Sequence, residues 1–147
     1  RLSHYGAGGD TIPSLAKYTF PAGGAEWDFE RYRADAVIIN LGTNDVIAYG
    51  AQANFRATLK KEYKEFVEYL RARYGDVPVI VVYGVYKYRN VLEYNSLFAE
   101  AVTEMNTALG NVYGVELSPT ASAHPTRAEA SAYGEVLATR LTEILAA

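Results

Sequence analysis

The sequence of 147 residues contains no cysteine, which excludes disulfide bonds, a thiolate metal site and a cysteine nucleophile. It has no apolar run near the roughly 20 residues that a membrane-spanning helix needs, so we expect no membrane partner. It also has no excess of basic residues, because 14 Lys and Arg stand against 17 Asp and Glu. No basic stripe interleaves with aromatic side chains, so we expect no nucleic-acid partner.

Aromatic residues, in contrast, are frequent, with 13 tyrosines, five phenylalanines and one tryptophan. Such amphipathic rings are favoured in binding clefts, including carbohydrate clefts, although tyrosines also occur at the rim of a core. The length is that of one ordinary domain, and no internal repeat or low-complexity stretch divides it. We therefore expect residues 1–147 to belong to a single domain.

Three continuous apolar runs predict buried parallel strands, because they are rich in β-branched residues and do not alternate with polar ones. The runs extend from Ala36 to Leu41, from Val77 to Tyr83 and from Val112 to Leu117. A sheet of only three such strands folds poorly alone, since buried parallel strands need neighbours on both edges. The pattern therefore predicts further strands from an upstream segment or from a partner.

Three other segments carry apolar residues at spacings of three and four, which is typical of amphipathic helices. They extend from Phe55 to Tyr74, from Tyr94 to Leu109 and from about Arg127 to Leu145. Gly75 and Gly110 mark the ends of the first two, and Thr126 with Glu129 forms a capping-box signature before the third. Alternating strands and helices predict an α/β fold with right-handed crossovers and helices covering a parallel sheet.

Polar residues directly follow the first predicted strand, in the segment Gly42-Thr43-Asn44-Asp45. Ligands of open α/β sheets gather beyond the carboxyl ends of the strands, so we expect a site there. We interpret Asp45 and Asp10 as structural, bonding loop backbone. The segment could also be a simple turn, because Gly, Asn and Asp are common turn formers.

Two further segments carry candidate chemistry. His124-Pro125 places a histidine in a loop before the last helix, although the pair could also be only a helix-boundary signal. The Gly-rich segment from His4 to Thr11 could likewise be only a flexible loop. We interpret His4 as structural or as part of a cleft wall.

In order and spacing, these three segments resemble blocks of the SGNH (GDSL-like) hydrolases, a family of serine esterases and lipases on a flavodoxin-like, three-layer α/β/α fold with a parallel sheet. The resemblance implies that the side chain of Asn44 and the backbone N–H of Gly9 donate to the oxyanion. It also implies that His124 is the general base, a role that histidine fills more often than any other side chain. Neutral donors placed where charge develops lower the barrier of acyl transfer.

The chain departs from the family pattern at two places. Residues 1–147 contain no strand followed by Gly-Asp-Ser, the block that carries the nucleophile, and Thr11 does not follow a buried strand. We therefore expect a partial domain, with the serine supplied from upstream of Arg1 or on a second polypeptide. Ala121 stands where the family places Asp, which implies a Ser-His dyad; Glu116 is a less favoured orienting carboxylate.

The segment from Trp27 to Tyr32 also looks like the carbohydrate esterase branch of the family, which includes acetylxylan esterases. The resemblance implies deacetylation of carbohydrate or another small ester without a metal or cofactor. It favours a secreted or periplasmic location, which the sequence itself leaves open. We predict substrate contacts from Trp27 and Tyr86. By this route the chain alone should be inactive.

Two alternatives stay open. A non-catalytic carbohydrate-binding or interaction domain could use a wall of Trp27, Tyr83, Tyr86 and Tyr88 on a degenerate SGNH scaffold. A nucleotide-binding flavodoxin-like domain fits the sheet pattern but lacks a dinucleotide fingerprint.

Overall fold

The structure is a computed structural model that describes Leu2 and residues 11–19, 24–85, 91–120 and 124–147, with the backbone alone for residues 91–93. Its elements in chain order are α1 (Ile12–Leu15), β1 (Val37–Ile39), α2 (Thr43–Tyr49), α3 (Phe55–Tyr74), β2 (Val79–Tyr83), α4 (Val91–Leu109), β3 (Val112–Glu116) and α5 (Arg127–Leu145). In these ranges, no helix combines the length and apolar character needed to cross a membrane.

The three strands form one parallel sheet in the order β1-β2-β3, as the apolar runs predict. Val79 of the central strand pairs with Val37 on one side and with Val112 on the other. Four of the five residues of β2 are buried. In β1, by contrast, Ile38 is 48% exposed. The central strand is therefore buried as expected of a parallel strand, whereas β1 is less buried.

Contacts divide the chain into two compact units, Arg1–Asp35 with Leu41–Val77 and Ala36–Asn40 with Pro78–Ala147. The second unit contains the sheet, α4 and α5. Ile80, Val82 and Val115 form a buried cluster with Ile144 of α5. On the other face of β2, the ring of Tyr83 stacks on Phe98 of α4 with ring centroids 5.8 Å apart. Within this unit, α4 and α5 thus cover opposite faces of the sheet, because successive side chains of a strand point to opposite sides.

The first unit is built around α3, which buries one stripe of its surface and exposes the other. The buried residues recur at the predicted helical spacing; they are Phe55, Leu59, Tyr63, Phe66, Val67 and Leu70. Near the end of the helix, Phe29 makes edge contacts with the rings of Tyr69 and Tyr74. The periodicity of α3 is therefore confirmed by its burial.

The predicted helix boundaries are largely confirmed. Gly75 ends α3: its N–H donates to the carbonyl of Arg71, and its φ of 77° is a conformation that favours glycine because glycine has no Cβ. Thr126 and Glu129 form the predicted capping box of α5. One element was not expected: Thr43 to Asp45 form the first turn of α2, and not a loop.

Candidate active site

In the first unit, the segment after β1 in the chain turns directly into α2. Gly42 is the N-cap residue with φ 98°, a conformation that residues with a Cβ rarely adopt. Its carbonyl accepts the N–H of Val46 at 2.9 Å, which begins the helix. Asn44 is exposed in the first turn, whereas Asp45 is completely buried. The amide of Asn44 is therefore accessible to a ligand, and the carboxylate of Asp45 is not.

Two long-range hydrogen bonds fix this turn. The backbone N–H of Leu2 donates to Oδ2 of Asp45 at 3.0 Å, which confirms that Asp45 bonds backbone. The hydroxyl of Tyr63, on α3, donates to the carbonyl of Leu41 at 2.7 Å. Burial raises the pKa of Tyr63 far above its ordinary value, an effect that its bond to Leu41 reduces and the nearby Asp45 carboxylate reinforces. The phenol therefore stays protonated and can donate at physiological pH.

Trp27 lies in a short antiparallel pairing of two chain segments of the same unit. Its N–H donates to the carbonyl of Lys17 at 2.7 Å, and Tyr18 and Glu26 form an isolated β-bridge. The Trp27 residue is 40% exposed. Part of a large amphipathic side chain is thus open to solvent at a position whose backbone is held. Its role in substrate binding stays a prediction.

In the second unit, the loops that follow β2 and β3 are bonded to each other. Leu117 donates its N–H to Tyr83 at 2.9 Å, and Thr120 donates to Val85 at 3.0 Å. Gly84 lies between the two acceptors with φ 86°. The carboxyl ends of β2 and β3 therefore continue as paired backbone beyond the strands.

His124 lies after these loops, exposed and two residues before the Thr126 cap of α5. The Glu129 carboxylate accepts from the N–H of Thr126 at 2.7 Å, so the chain direction next to the histidine is fixed by the capping box. Tyr133, farther along α5, donates its hydroxyl to the carbonyl of Ser118 at 2.7 Å. This bond ties the helix that follows His124 to the loop that precedes it.

Glu116, considered above as an orienting carboxylate, has a partner on α4. The amide of Asn95, a buried residue, donates to Oε1 of Glu116 at 2.8 Å. Burial, and secondarily the charge of Glu116, raise the pKa of Tyr83. The structure thus assigns Glu116 to a hydrogen bond between the end of β3 and α4.

Other candidate residues lie outside the described ranges, namely His4, Gly9, Asp10, Tyr86, Tyr88 and Ala121. Asn44 and His124 belong to different compact units, so their convergence on one ester stays a prediction. Their individual settings are consistent with their expected roles, because both residues are exposed beside structurally fixed backbone. A neutral amide donor and an imidazole are the groups that acyl transfer requires besides a nucleophile.

The sequence model of the GDSL-like lipase/acylhydrolase family matches residues 1–142. The chain belongs to this family. The match spans almost the entire sequence and confirms the resemblance seen in its motifs. It agrees with the parallel α/β arrangement of the strands and helices described above.

Similar proteins include carbohydrate esterases. The chain is 30% identical over 136 residues to the cellulase/esterase CelE of Acetivibrio thermocellus, covering 91% of this chain and 16% of that protein. It is 27% identical to a family two carbohydrate esterase from Clostridium thermocellum solved in complex with cellohexaose, with a TM-score of 0.86. That alignment covers 97% of this chain and 46% of the solved chain.

A family two carbohydrate esterase from Cellvibrio japonicus, 22% identical, supports the fold with a TM-score of 0.74 over 91% of this chain and 41% of the solved one. The predicted SGNH-type, flavodoxin-like α/β fold is confirmed by these similarities. The chain spans less than half the length of each of these relatives.

Sequence analysis missed the hydrogen-bonding role of two residues. Tyr63 falls within the amphipathic helix predicted from Phe55 to Tyr74, but neither it nor Asn95 was singled out. A signal for both exists in principle, since a buried hydroxyl or amide needs a partner. The periodicity of a helix places such a group inside but does not say which carbonyl or carboxylate it meets.

Proposed function

We propose that this chain is part of a serine esterase that removes acetyl or similarly small acyl groups from carbohydrate. The observation that carries the proposal is the exposed amide of Asn44 on a turn fixed from inside by Tyr63 and Asp45. Such a preorganised neutral donor suits an oxyanion that forms only during reaction. The carbohydrate substrate is supported by the family two carbohydrate esterases and CelE, to which the chain is similar.

In the proposed reaction, a serine hydroxyl attacks the ester carbonyl carbon while His124 takes the serine proton. The side-chain amide of Asn44 and the backbone N–H of Gly9 donate to the resulting oxyanion. The carbonyl forms again as the C–O bond to the sugar breaks, and the sugar oxygen receives the proton from His124. Water, deprotonated by His124, then attacks the acyl-serine, and the serine leaves with that proton as the carboxylic acid is released.

The tripeptide Gly-Asp-Ser does not occur in residues 1–147. The proposed nucleophile therefore lies outside this sequence, on the same polypeptide or on a second one. Because Ala121 stands at the family's usual Asp position, we propose a Ser-His dyad. A backbone carbonyl near His124 would then orient the imidazole, since an acceptor at one ring nitrogen fixes the tautomer.

The test uses the full-length protein and measures initial rates with p-nitrophenyl acetate and with an acetylated xylo-oligosaccharide. His124→Ala should abolish nearly all turnover, and Asn44→Ala should lower kcat by about 10²- to 10³-fold. Asn54→Ala is the matched control, because Asn54 is also an exposed asparagine of the first unit and its side chain makes no capping bond. Unchanged turnover in Asn44→Ala would refute the oxyanion role.

A second candidate function, non-catalytic carbohydrate binding, is favoured by the exposed surface of Trp27. Calorimetric titration with cellohexaose separates the two. An esterase should turn over acetylated ligands and lose this turnover in His124→Ala. A non-catalytic binding domain should show no turnover even as the wild type. It should retain its affinity for cellohexaose in His124→Ala and lose this affinity in Trp27→Ala.

A further inference from the structure

Two anchors lie on opposite sides of Asn44 in the chain. On the N-terminal side, the hydroxyl of Tyr63 donates to the carbonyl of Leu41 at 2.7 Å. On the C-terminal side, the carboxylate of Asp45 accepts from the backbone N–H of Leu2 at 3.0 Å. The three residues between Leu41 and Asp45 include Gly42, whose φ of 98° reverses the chain into α2. The position of Asn44 is thus set between two fixed points.

The carbonyl of Leu41 is not an acceptor of the hydrogen bonds of α2. Helix α2 uses the carbonyl of Gly42 as its first acceptor, so the carbonyl of Leu41 lies one residue outside the helical ladder. A backbone acceptor at such a position needs another partner when it is shielded from water. Tyr63 supplies this partner from α3, and the ring of Tyr63 is fully buried. A side chain in a packed core therefore fixes the peptide that precedes Gly42.

From this geometry we propose that Tyr63 is a positioning residue of the esterase, whose hydroxyl fixes the Leu41 peptide and thereby orients the side chain of Asn44 toward the oxyanion. The inference rests on the proposed function and extends it to a residue that does not touch the substrate. The hydroxyl acts through two peptide units, and the ring that carries it is fully buried, which restricts its movement. Burial also raises the pKa of Tyr63, so the donor proton is retained throughout the range in which an esterase with a histidine base works.

The hydroxyl and the ring make separable contributions. Tyr63→Phe removes only the hydrogen bond and keeps the buried ring, so the core of α3 is retained. Tyr69→Phe is the matched control: Tyr69 is on the same helix, and its buried hydroxyl has no hydrogen-bond partner within the described part of the chain. The two variants thus make the same chemical change, with and without loss of a bond to the turn.

Steady-state kinetics in the full-length protein should separate a positioning role from a purely structural one. We expect Tyr63→Phe to lower kcat by about 10- to 100-fold with KM nearly unchanged, because displacement of a donor affects the transition state more than substrate binding. Tyr69→Phe should keep kcat within about twofold of the wild type. Rates are measured well below the melting temperature of each variant, so unfolding does not contribute.

The double variant Tyr63→Phe/Asn44→Ala tests whether Tyr63 acts through Asn44. If it does, the double variant should be no slower than Asn44→Ala alone, because the positioned group is already gone. If the kcat reductions of the two single variants multiply in the double variant, the proposal is overturned. An unchanged kcat in Tyr63→Phe, with a slow Asn44→Ala enzyme, would also overturn it while leaving the proposed function intact. An unchanged kcat in Asn44→Ala would overturn both.

NMR spectroscopy tests the positioning role of Tyr63 without relying on catalysis, which matters if a variant is poorly active for another reason. The side-chain NH₂ resonances of Asn44 are assigned in ¹⁵N-labelled protein by their loss in Asn44→Ala. Tyr63→Phe should shift or broaden these resonances, whereas Tyr69→Phe should leave them in place. Identical Asn44 resonances in the wild type and Tyr63→Phe would overturn the positioning role.

Discussion

Substitution of Gly84 by alanine should destabilise the protein strongly, because this glycine is constrained in two independent ways. Its φ of 86° is a conformation that costs an L-residue about 1–2 kcal/mol. A Cβ at this position would also lie 2.4 Å from the carbonyl oxygen of Leu117 and 3.2 Å from the amide nitrogen of Asn95. The first contact is with backbone and cannot be relieved by a rotamer change.

The expected loss follows from adding the two effects. Overpacking of a closely packed region costs typically about 1–3 kcal/mol, so Gly84→Ala should lower the free energy of unfolding by roughly 2–5 kcal/mol. The backbone near Leu117 cannot shift without affecting the bond from its N–H to Tyr83. The same substitution would therefore weaken the pairing of the two loops that follow β2 and β3.

Urea unfolding monitored by circular dichroism measures this loss, with Gly134→Ala as the control. Gly134 lies within α5, and a Cβ there would meet nothing within 4 Å. Alanine in a helix interior is favoured over glycine by about 0.5–1 kcal/mol, so the control should be stabilised. The same chemical change should thus act with opposite signs at two positions of one unit. Equal stability of the Gly84→Ala variant and the wild type would refute the close approach on which the estimate rests.

Three further predictions concern caps, buried polar pairs and pH. Thr126→Ala should lower the free energy of unfolding by about 1 kcal/mol in urea titrations, through loss of the α5 cap; no change would mean that the capping box does not contribute. Asn95→Leu should cost about 1 kcal/mol in the same assay by removing the donor to Glu116, and a more stable variant would contradict this. The pKa of Tyr63 is raised by burial, so its stabilising contribution is complete well below the ordinary tyrosine pKa of about 10 and decreases progressively as the pH rises above that value. The wild type should therefore lose more stability than Tyr63→Phe between about pH 9 and 11 in urea titrations, and parallel losses would refute this.

The strands and long helices were predictable because each depends on a local pattern. The apolar run of β2 is buried as expected, whereas in β3 only Val112 and Val115 are buried. The spacing of buried residues such as Leu59 and Tyr63 in α3 follows the helical period. End signals were equally local: Gly75 and the Thr126 cap act through their own backbone and side chains. Such features follow from residues close together in the chain, so an isolated sequence contains most of the information.

Helix α2 was not predictable in the same way. Its first residues, Thr43 and Asn44, have modest helix propensity, and Asp45 is typical of turns. The segment is helical in a context where the carboxylate of Asp45 reaches the N–H of Leu2, 43 residues away. Helices this short gain most of their stability from tertiary contacts, which local propensity does not contain.

Contacts between residues far apart in the chain also limit how much of the site can be predicted. Family motifs pointed to Asn44 and His124, and both lie beside structurally fixed backbone, but the motifs do not contain the residues that fix it. Tyr63 lies 22 residues from Leu41 in the chain. No short pattern connects a helix tyrosine to that carbonyl. The supporting residues of an active site are therefore harder to infer than its reacting groups.

The pair Asn44-Asp45 shows how one motif can serve two purposes. Successive residues of a helix are rotated by about 100°, so two adjacent side chains point in different directions. In α2 the carboxylate of Asp45 faces inward and is completely buried, and the amide of Asn44 is exposed. The inward group bonds the backbone of Leu2, and this bond limits rotation of the helix that carries the outward group. The hydrogen bond of the buried Asp45 carboxylate thus helps to fix the backbone of the exposed donor Asn44 at the neighbouring position.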